Sequence, residues 1–219
     1  MSPLSSPLVV CGTDTDVGKT VVSAWLVQGL NANYWKPVQS GLDGGGDRGR
    51  VQQLLKLPNE RFMNETYAFE QPVSPHWAAE LEGRTLNPEQ LQLPVTTRAL
   101  IVETAGGLMV PLTRHWLQID QLERWSCPIV LVARSGLGTL NHTLLSLEAL
   151  RRRNLGVLGI ILNGPPHADN PETLKQFGHV PVIAHLPPLT PLNAEQLHQQ
   201  WTNQNLTEVF EQLLANQAS

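Results

Sequence analysis

The chain has 219 residues, with 15 Lys and Arg against 19 Asp and Glu, a formal net charge of −4. That length admits one α/β domain or two small ones, and the acidic balance argues against general binding to nucleic acid or anionic membranes. The two cysteines, Cys11 and Cys127, are too few for a disulfide scaffold or a Cys-rich zinc site, and apolar runs such as 128–133 fall well short of the ~20 residues that span a bilayer.

The N-terminus, MSPLSSP, lacks the basic and apolar regions of a secretion signal, so a cytoplasmic location is expected. LVVCG (8–12) is a short, continuously apolar run, the pattern of a strand covered on both faces. Val22, Leu26 and Leu30 recur at helical spacing over 19–31. YWKPVQSG (34–41) is a weaker strand candidate. Gly44, Gly45 and Gly46 predict a flexible loop, too short to join domains, before a helical pattern opening at Asp47. Further strands are predicted at ALIVETAGG (99–107), PIVLVARSG (128–136), VLGIILNG (157–164) and PVIAHLPP (181–188). Leu140, Leu144, Leu147 and Leu150 predict a helix over 139–153. Its closing triplet Arg151, Arg152, Arg153 suits a helix C-terminus better than a phosphate site. An amphipathic helix is expected at 206–215. This alternation, without repeat or linker, predicts a single domain over 1–219. Its fold class is α/β: a doubly wound, mostly parallel sheet with helices on both faces.

The most informative segment is GTDTDVGKT, Gly12 to Thr20, between a buried strand and a helix. In that context backbone N–H groups and a helix N-terminus face an anion. Gly18 permits close backbone approach, Lys19 reaches the β- and γ-phosphates, and Thr20 offers its hydroxyl to Mg²⁺. The loop carries five residues between Gly12 and Gly18 where the general pattern has four, and Thr13 stands where its first Gly is expected. Among only four lysines (Lys19, Lys36, Lys56, Lys175), Lys36 ends the next candidate strand. Ligands of open α/β sheets sit beyond the strands' carboxyl ends, so Lys36 and Lys19 are placed to converge on one phosphate.

Glu103, at the tip of a buried strand, occupies the usual second-strand Mg²⁺ position of nucleotide hydrolases. Asp47 is suited to capping the helix it opens. Asn163-Gly164 reads either as an adenine-contacting pair or as a turn. Gly138, Thr139, Leu140 and Asn141 offer a helix start suited to a carboxylate, with Thr139 or Asn141 as its cap. The histidines form no metal or catalytic motif, and His76 and His142 read as structural. Cys11 and Cys127 are expected on strands, and the six Trp in packing.

In combination, GTDTDVGKT, YWKPVQSG, TYAFEQPVSPH (66–76), VETAGG, GLGTLNHT and ILNG resemble the dethiobiotin synthetase family, in this order and at compatible spacing, over residues 8 to about 190. The resemblance implies an ATP- and Mg²⁺-dependent cyclo-ligase of biotin synthesis. Such an enzyme joins CO₂ to 7,8-diaminononanoate, closes a cyclic urea and releases ADP and phosphate. It also implies a homodimer with active sites near the subunit interface. Carried over, Asp16, Val17, Gly18, Lys19, Thr20 and Val21 contact phosphates, and Thr20, Asp47 and Glu103 hold Mg²⁺. Lys36 is catalytic, supported by Lys19, and Thr15 and Ser40 contact substrate. Glu103, Thr104, Ala105, Gly106, Asn163, Gly164, Pro187, Pro188 and Leu189 complete the nucleotide site. Residues 138–141 bind the substrate carboxylate of the neighbouring subunit. The chain departs from the family at Asp16, often Glu, at Thr104, often Gly, and in having only Phe177 as an aromatic over 170–180, where a tyrosine is expected. Two other classes share parts of this pattern: partitioning-type ATPase switches, which carry a lysine where Asp14 stands, and other ATP-dependent amide-forming ligases.

Overall fold

The computed structural model describes residues 7–215, so the reading of the first six residues lies outside them. In chain order the elements are β1 (Leu8–Gly12), α1 (Lys19–Gly29), β2 (Asn33–Trp35), β3 (Val38–Ser40), α2 (Gly46–Leu55), β4 (Phe62–Met63), β5 (Tyr67–Phe69), α3 (Pro75–Leu81) and β6 (Leu100–Gly107). There follow β7 (Pro111–Thr113), β8 (Trp116–Leu117), α4 (Gln118–Trp125), β9 (Ile129–Arg134), α5 (Thr139–Arg152), β10 (Val157–Asn163), α6 (Asn170–Gly178), β11 (Val182–Leu186), α7 (Ala194–Asn203) and α8 (Leu206–Ala215).

Seven strands form one sheet in the order β11-β10-β9-β1-β6-β2-β4, and every pairing in it is parallel. The continuous apolar runs follow from cover on both faces. Val9, Cys11, Leu131 and Ala133 pack against α3, α4, α5 and α6. Their neighbours Leu8, Val10, Val130 and Val132 pack against α1, α2, α7 and α8. The chain leaves β1 toward β2 and β4, returns to β6 beside β1, then crosses to β9 on β1's other edge. That reversal places a crevice at the carboxyl end of β1, where such sheets bind ligands.

All five strongly predicted strands and the three predicted helices form. The weak strand at 34–41 is two strands, β2 and β3, separated by Lys36-Pro37; β3 leaves the main sheet to pair with β5. Gly44–Gly46 are more ordered than a flexible loop, since Asp43–Gly45 make a 3₁₀ turn and Gly46 opens α2. Cys127 lies between α4 and β9 rather than on a strand. Two helices escaped the periodicity for different reasons: α7 has only Leu197 and Trp201 buried, and α4, though largely buried, is eight residues long. The Arg151–Arg153 triplet is spent on local contacts. Arg151 bonds the Gly178 carbonyl, Arg152 pairs with Glu148 at 3.0 Å, and Arg153 pairs with Asp120 and Glu123 at 2.5 and 2.9 Å.

The last two helices are anchored on Trp201, whose ring stacks on Phe210 at 5.6 Å and meets the edge of Trp25 at 5.9 Å. Its indole N–H donates to Thr207 Oγ1. Trp201→Ala should therefore destabilise the fold by about 3–5 kcal/mol, measurable by urea unfolding. A loss under about 1 kcal/mol would show that α7 and α8 do not depend on this cluster.

Candidate active site

Pairing of β1 with β6 sets Val10 opposite Glu103 and Gly12 opposite Gly107, so the loop after β1 and the acid on β6 share one end of the sheet. Strand periodicity puts Glu103 on the face of Ile101, toward α1. The same periodicity aligns Lys36 with Tyr34 two residues earlier. α1 starts at Lys19 after Gly18, whose φ of 95° is left-handed, and no side chain caps it, so its first-turn amides are left for an anion. A Cβ on Gly18 would fall 2.0 Å from the Asn163 side-chain nitrogen, so only glycine lets the loop close there.

These elements enclose a cavity of about 860 Å³. Thr15, Asp16, Gly18, Lys19, Thr20, Val21, Lys36, Ser40, Asp47, Glu103, Ala105 and Gly106 all line it. The predicted residues thus converge, although Glu103 is 83 positions from Thr20 and 67 from Lys36. Lys36 is 3% exposed and Glu103 fully buried. The Lys36 ammonium donates to Asp47 Oδ2 at 2.8 Å, to Glu103 Oε1 at 3.1 Å and to the Thr104 carbonyl at 3.0 Å. Thr20 Oγ1 donates to Glu103 Oε1 at 3.0 Å, and the buried Tyr34 hydroxyl donates to Glu103 Oε2 at 2.9 Å. Both oxygens of that carboxylate are therefore engaged.

Burial alone would drive Lys36 toward its neutral form, but Glu103 and Asp47 outweigh it and hold its pKa above the ordinary lysine value. Asp47 is likewise opposed by burial, yet Lys36 holds its carboxyl below the usual range. Lys19 responds oppositely. Burial, reinforced by the nearby Lys36 charge, lowers it to about 8. Its ammonium donates to the Asp14 carbonyl of its own loop at 2.8 Å. Cys11, pushed up to about 12 by burial, is an inert thiol.

The oxygen set of Thr20, Asp47 and Glu103 fits Mg²⁺, a hard ion that takes few protein ligands and retains water or phosphate oxygens. Among the described residues no group of three or more His, Cys, Asp or Glu could hold a metal without such help. Asp47 does not cap its helix: α2 starts at Gly46 with no side-chain cap, and Asp47 pairs with Lys36 instead.

Other predicted residues lie outside the cavity. Val17, within the loop, is buried. The Thr104 hydroxyl bonds the Val10 carbonyl at 3.2 Å, leaving its own carbonyl to Lys36. Asn163, Gly164 and residues 187–189 gather on the far side of the loop. The Asn163 amide donates to the Val17 carbonyl at 3.1 Å, and Gly164 N–H to the Leu186 carbonyl at 3.0 Å. The start of α5 at 138–141 does not reach the cavity. It begins after Gly138 in a left-handed conformation and has no side-chain cap, so neither Thr139 nor Asn141 plays that part. Thr139 Oγ1 meets Thr143 Oγ1 instead. Phe177 is 60% exposed on α6. Tyr34 and Gln39 were missed by the sequence reading. The available signal was their strand position beside Lys36, which alone assigns no role. Pro72, Val73, Ser74 and Pro75 also line the cavity.

A strand–loop–helix with Lys19 and Thr20 at the switch point of a parallel sheet defines a P-loop nucleotide-binding protein. A family model described as an AAA domain matches residues 6–196. The fold is shared with the cell division ATPase MinD of Pyrococcus furiosus (TM-score 0.58, 17% identity, 96% of this chain and 97% of that one). It is shared also with a ParA-family ATPase of Chlorobium tepidum (TM-score 0.55, 10% identity, 96% and 98%). At those identities the likeness extends to the fold alone. An ATP-dependent dethiobiotin synthetase of Rhodopseudomonas palustris is 47% identical over 89% of this chain and 92% of that protein. The biotin biosynthesis bifunctional protein BioCD of Bordetella avium is 47% identical over 96% of this chain and 45% of that protein. The chain belongs to the ATP-dependent dethiobiotin synthetase family.

A lysine titrating at about 8 couples nucleotide binding to protons. A bound phosphate raises the Lys19 pKa, so the complex holds more protons than the free chain above about pH 8, and affinity must fall as pH rises there. Titrations of ATP between about pH 7 and 9.5 should show a decline with a slope approaching one proton per site. A flat profile would mean that Lys19 does not meet the phosphates.

Proposed function

We propose that residues 1–219 act as a single ATP-dependent ligase domain that joins CO₂, drawn from the bicarbonate pool, to 7,8-diaminononanoate and closes a cyclic urea, dethiobiotin. The observation that carries this reading is the Lys36 ammonium. It is buried between Asp47 and Glu103 in the cavity that also holds Lys19, Thr20 and Ser40.

The chemistry runs in three steps. One substrate amine attacks CO₂, forming a C–N bond and, after loss of a proton, a carbamate. A carbamate oxygen attacks the γ-phosphorus of ATP and displaces ADP, giving a carbamic–phosphoric anhydride. The second amine attacks the anhydride carbonyl; the C–O bond to phosphate breaks, phosphate leaves, and loss of the amine proton completes the ring. Each step gathers negative charge around the transferred phosphoryl group, so fixed positive charge aimed there is the main aid that the protein can give.

Lys36 suits that task. Its raised pKa keeps it charged across the neutral range, so it acts as an electrostatic stabiliser rather than a proton acceptor. Lys19 supplies a second charge, and the uncapped first turn of α1 supplies amides. Thr20, Asp47 and Glu103 would hold Mg²⁺, which would supply positive charge against that developing on the phosphates. The Ser40 hydroxyl lines the cavity and has no partner among the described residues, which leaves it to a polar group of the substrate, with Thr15 in the same lining. Residues 163–164 and 187–189, behind the loop, are assigned to the adenine end of ATP. The α5 start at 138–141, exposed at Gly138 and Asn141, is assigned to the substrate carboxylate of a second copy in a homodimer. That none of these residues lines this chain's own cavity supports the assignment. No helix of the described residues is long and apolar enough to cross a membrane.

Phosphate release measured with ATP, Mg²⁺ and bicarbonate should depend strictly on 7,8-diaminononanoate. Hydrolysis stimulated by DNA or lipid, indifferent to the diamine, would contradict the reading. Lys36→Gln removes the central charge and should lower turnover by about 10²–10³-fold, the cost of deleting one preorganised donor. Near-full activity of that variant would take Lys36 out of the mechanism.

A further inference from the structure

Between β3 and α2 the chain runs through a glycine-rich connection. The segment Gly41–Gly46 contains four glycines at positive φ (81°, 66°, 83° and 63° at 41, 44, 45 and 46), and no atom lies within 4 Å of where side chains of Gly44 or Gly45 would start. Glycines cost the most entropy to order, so contacts from outside the segment help to fix the residue at its end. Gln39, on β3 and 6% exposed, makes the bridging contacts. Its Nε2 donates to the carbonyls of Ser40 at 3.1 Å and Gly41 at 3.0 Å, while its Oε1 accepts from the Asp47 N–H at 3.0 Å. The orientation of the amide follows from its partners, because carbonyls need a donor and an N–H needs an acceptor. Gly46 lies flat over the side chain: a Cβ there would approach Gln39 Cγ to 3.0 Å.

We infer that Gln39 is a positioning residue, whose one carboxamide ties the first and last residues of this glycine-rich loop and so sets the Asp47 carboxylate at the Mg²⁺–phosphate end of the cavity. The inference rests on the proposed role of Asp47 as a metal ligand. Gln39 touches no phosphate loop residue through the bonds above, so its effect falls on the metal and not on the nucleotide alone.

The test is a titration of Mn²⁺ into the ADP-saturated chain, read by electron paramagnetic resonance, for wild type, Gln39→Met and Gln39→Asn. Methionine fills similar space beneath Gly46 without hydrogen bonds. Asparagine keeps the amide but is one methylene too short to span the loop. Both variants should weaken Mn²⁺ binding about tenfold, as expected when a buried amide loses its only partner, while ADP affinity in the presence of chelator stays within about twofold. With saturating diamine, the Mg²⁺ concentration at half-maximal rate should rise by a similar factor and kcat change less. Unchanged Mn²⁺ affinity overturns the inference. So does a parallel loss of metal-free ADP binding and thermal stability, which marks a purely structural part. Should Gln39→Met fail to fold, Gln39→Asn carries the measurement alone. A wild-type chain that binds Mn²⁺ with ADP but forms no cyclic urea would sink the ligase reading and leave the Gln39 inference to the titration. One that binds no Mn²⁺ with ADP would sink the inference itself.

Discussion

A buried ammonium between two carboxylates organises this structure. Lys36 leaves water almost completely, and a charge so placed is tolerable only where its partners are equally fixed. Glu103 is fixed by the sheet, by the Thr20 hydroxyl and by the phenol of Tyr34. Asp47 sits at the start of α2 with its backbone N–H bonded to Gln39. Taking away one member of such a group strands the others without compensation, at a cost of about 3–5 kcal/mol. Four segments far apart in the chain therefore come to one point, and each is rigid for a different reason.

The two lysines of the cavity are pushed in opposite directions by the same burial. Lys36 keeps its proton because two acids face it; Lys19, facing its own loop's carbonyl and the neighbouring Lys36 charge, holds its proton less firmly. That asymmetry divides the work. Lys36 is a permanent charge built into the floor. Lys19 gains a full complement of charge when an anion arrives between the loop and α1. Tyr34 adds to this arrangement without joining the chemistry: burial, then Glu103 and Asp47, push its pKa well up, so it stays a hydrogen-bond donor to Glu103.

The central strands and the phosphate loop were legible in the sequence because their signals are local. Continuous apolar runs such as LVVCG and VLGIILN can only be doubly covered strands, and Gly-Lys-Thr between strand and helix has few other uses. Glu103 and Lys36 were legible from their places at strand ends. What stayed hidden was long-range or too short to show a period. The Lys36-Pro37 break turned one candidate strand into two in different sheets, since Val38–Ser40 pair with β5 and not with β6. Asp47 looked like a helix cap because its partner lies eleven positions away in a direction that local spacing does not encode. The start of α5, suited on its own to a carboxylate, follows β9 at the same end of the sheet yet contributes no residue to the cavity lining, which local spacing does not encode.

The central claim is that Lys36 and Lys19 meet over one terminal phosphoryl group. A crystal structure of the chain with ADP, Mg²⁺ and a planar metal fluoride in place of that group tests it most directly. The account predicts both ammonium nitrogens within hydrogen-bond reach of the fluorides, about 3 Å, with the Asp47 and Glu103 oxygens turned to the metal. Lys36 left in place between the two carboxylates, with the fluoride approached by Lys19 alone, would contradict it.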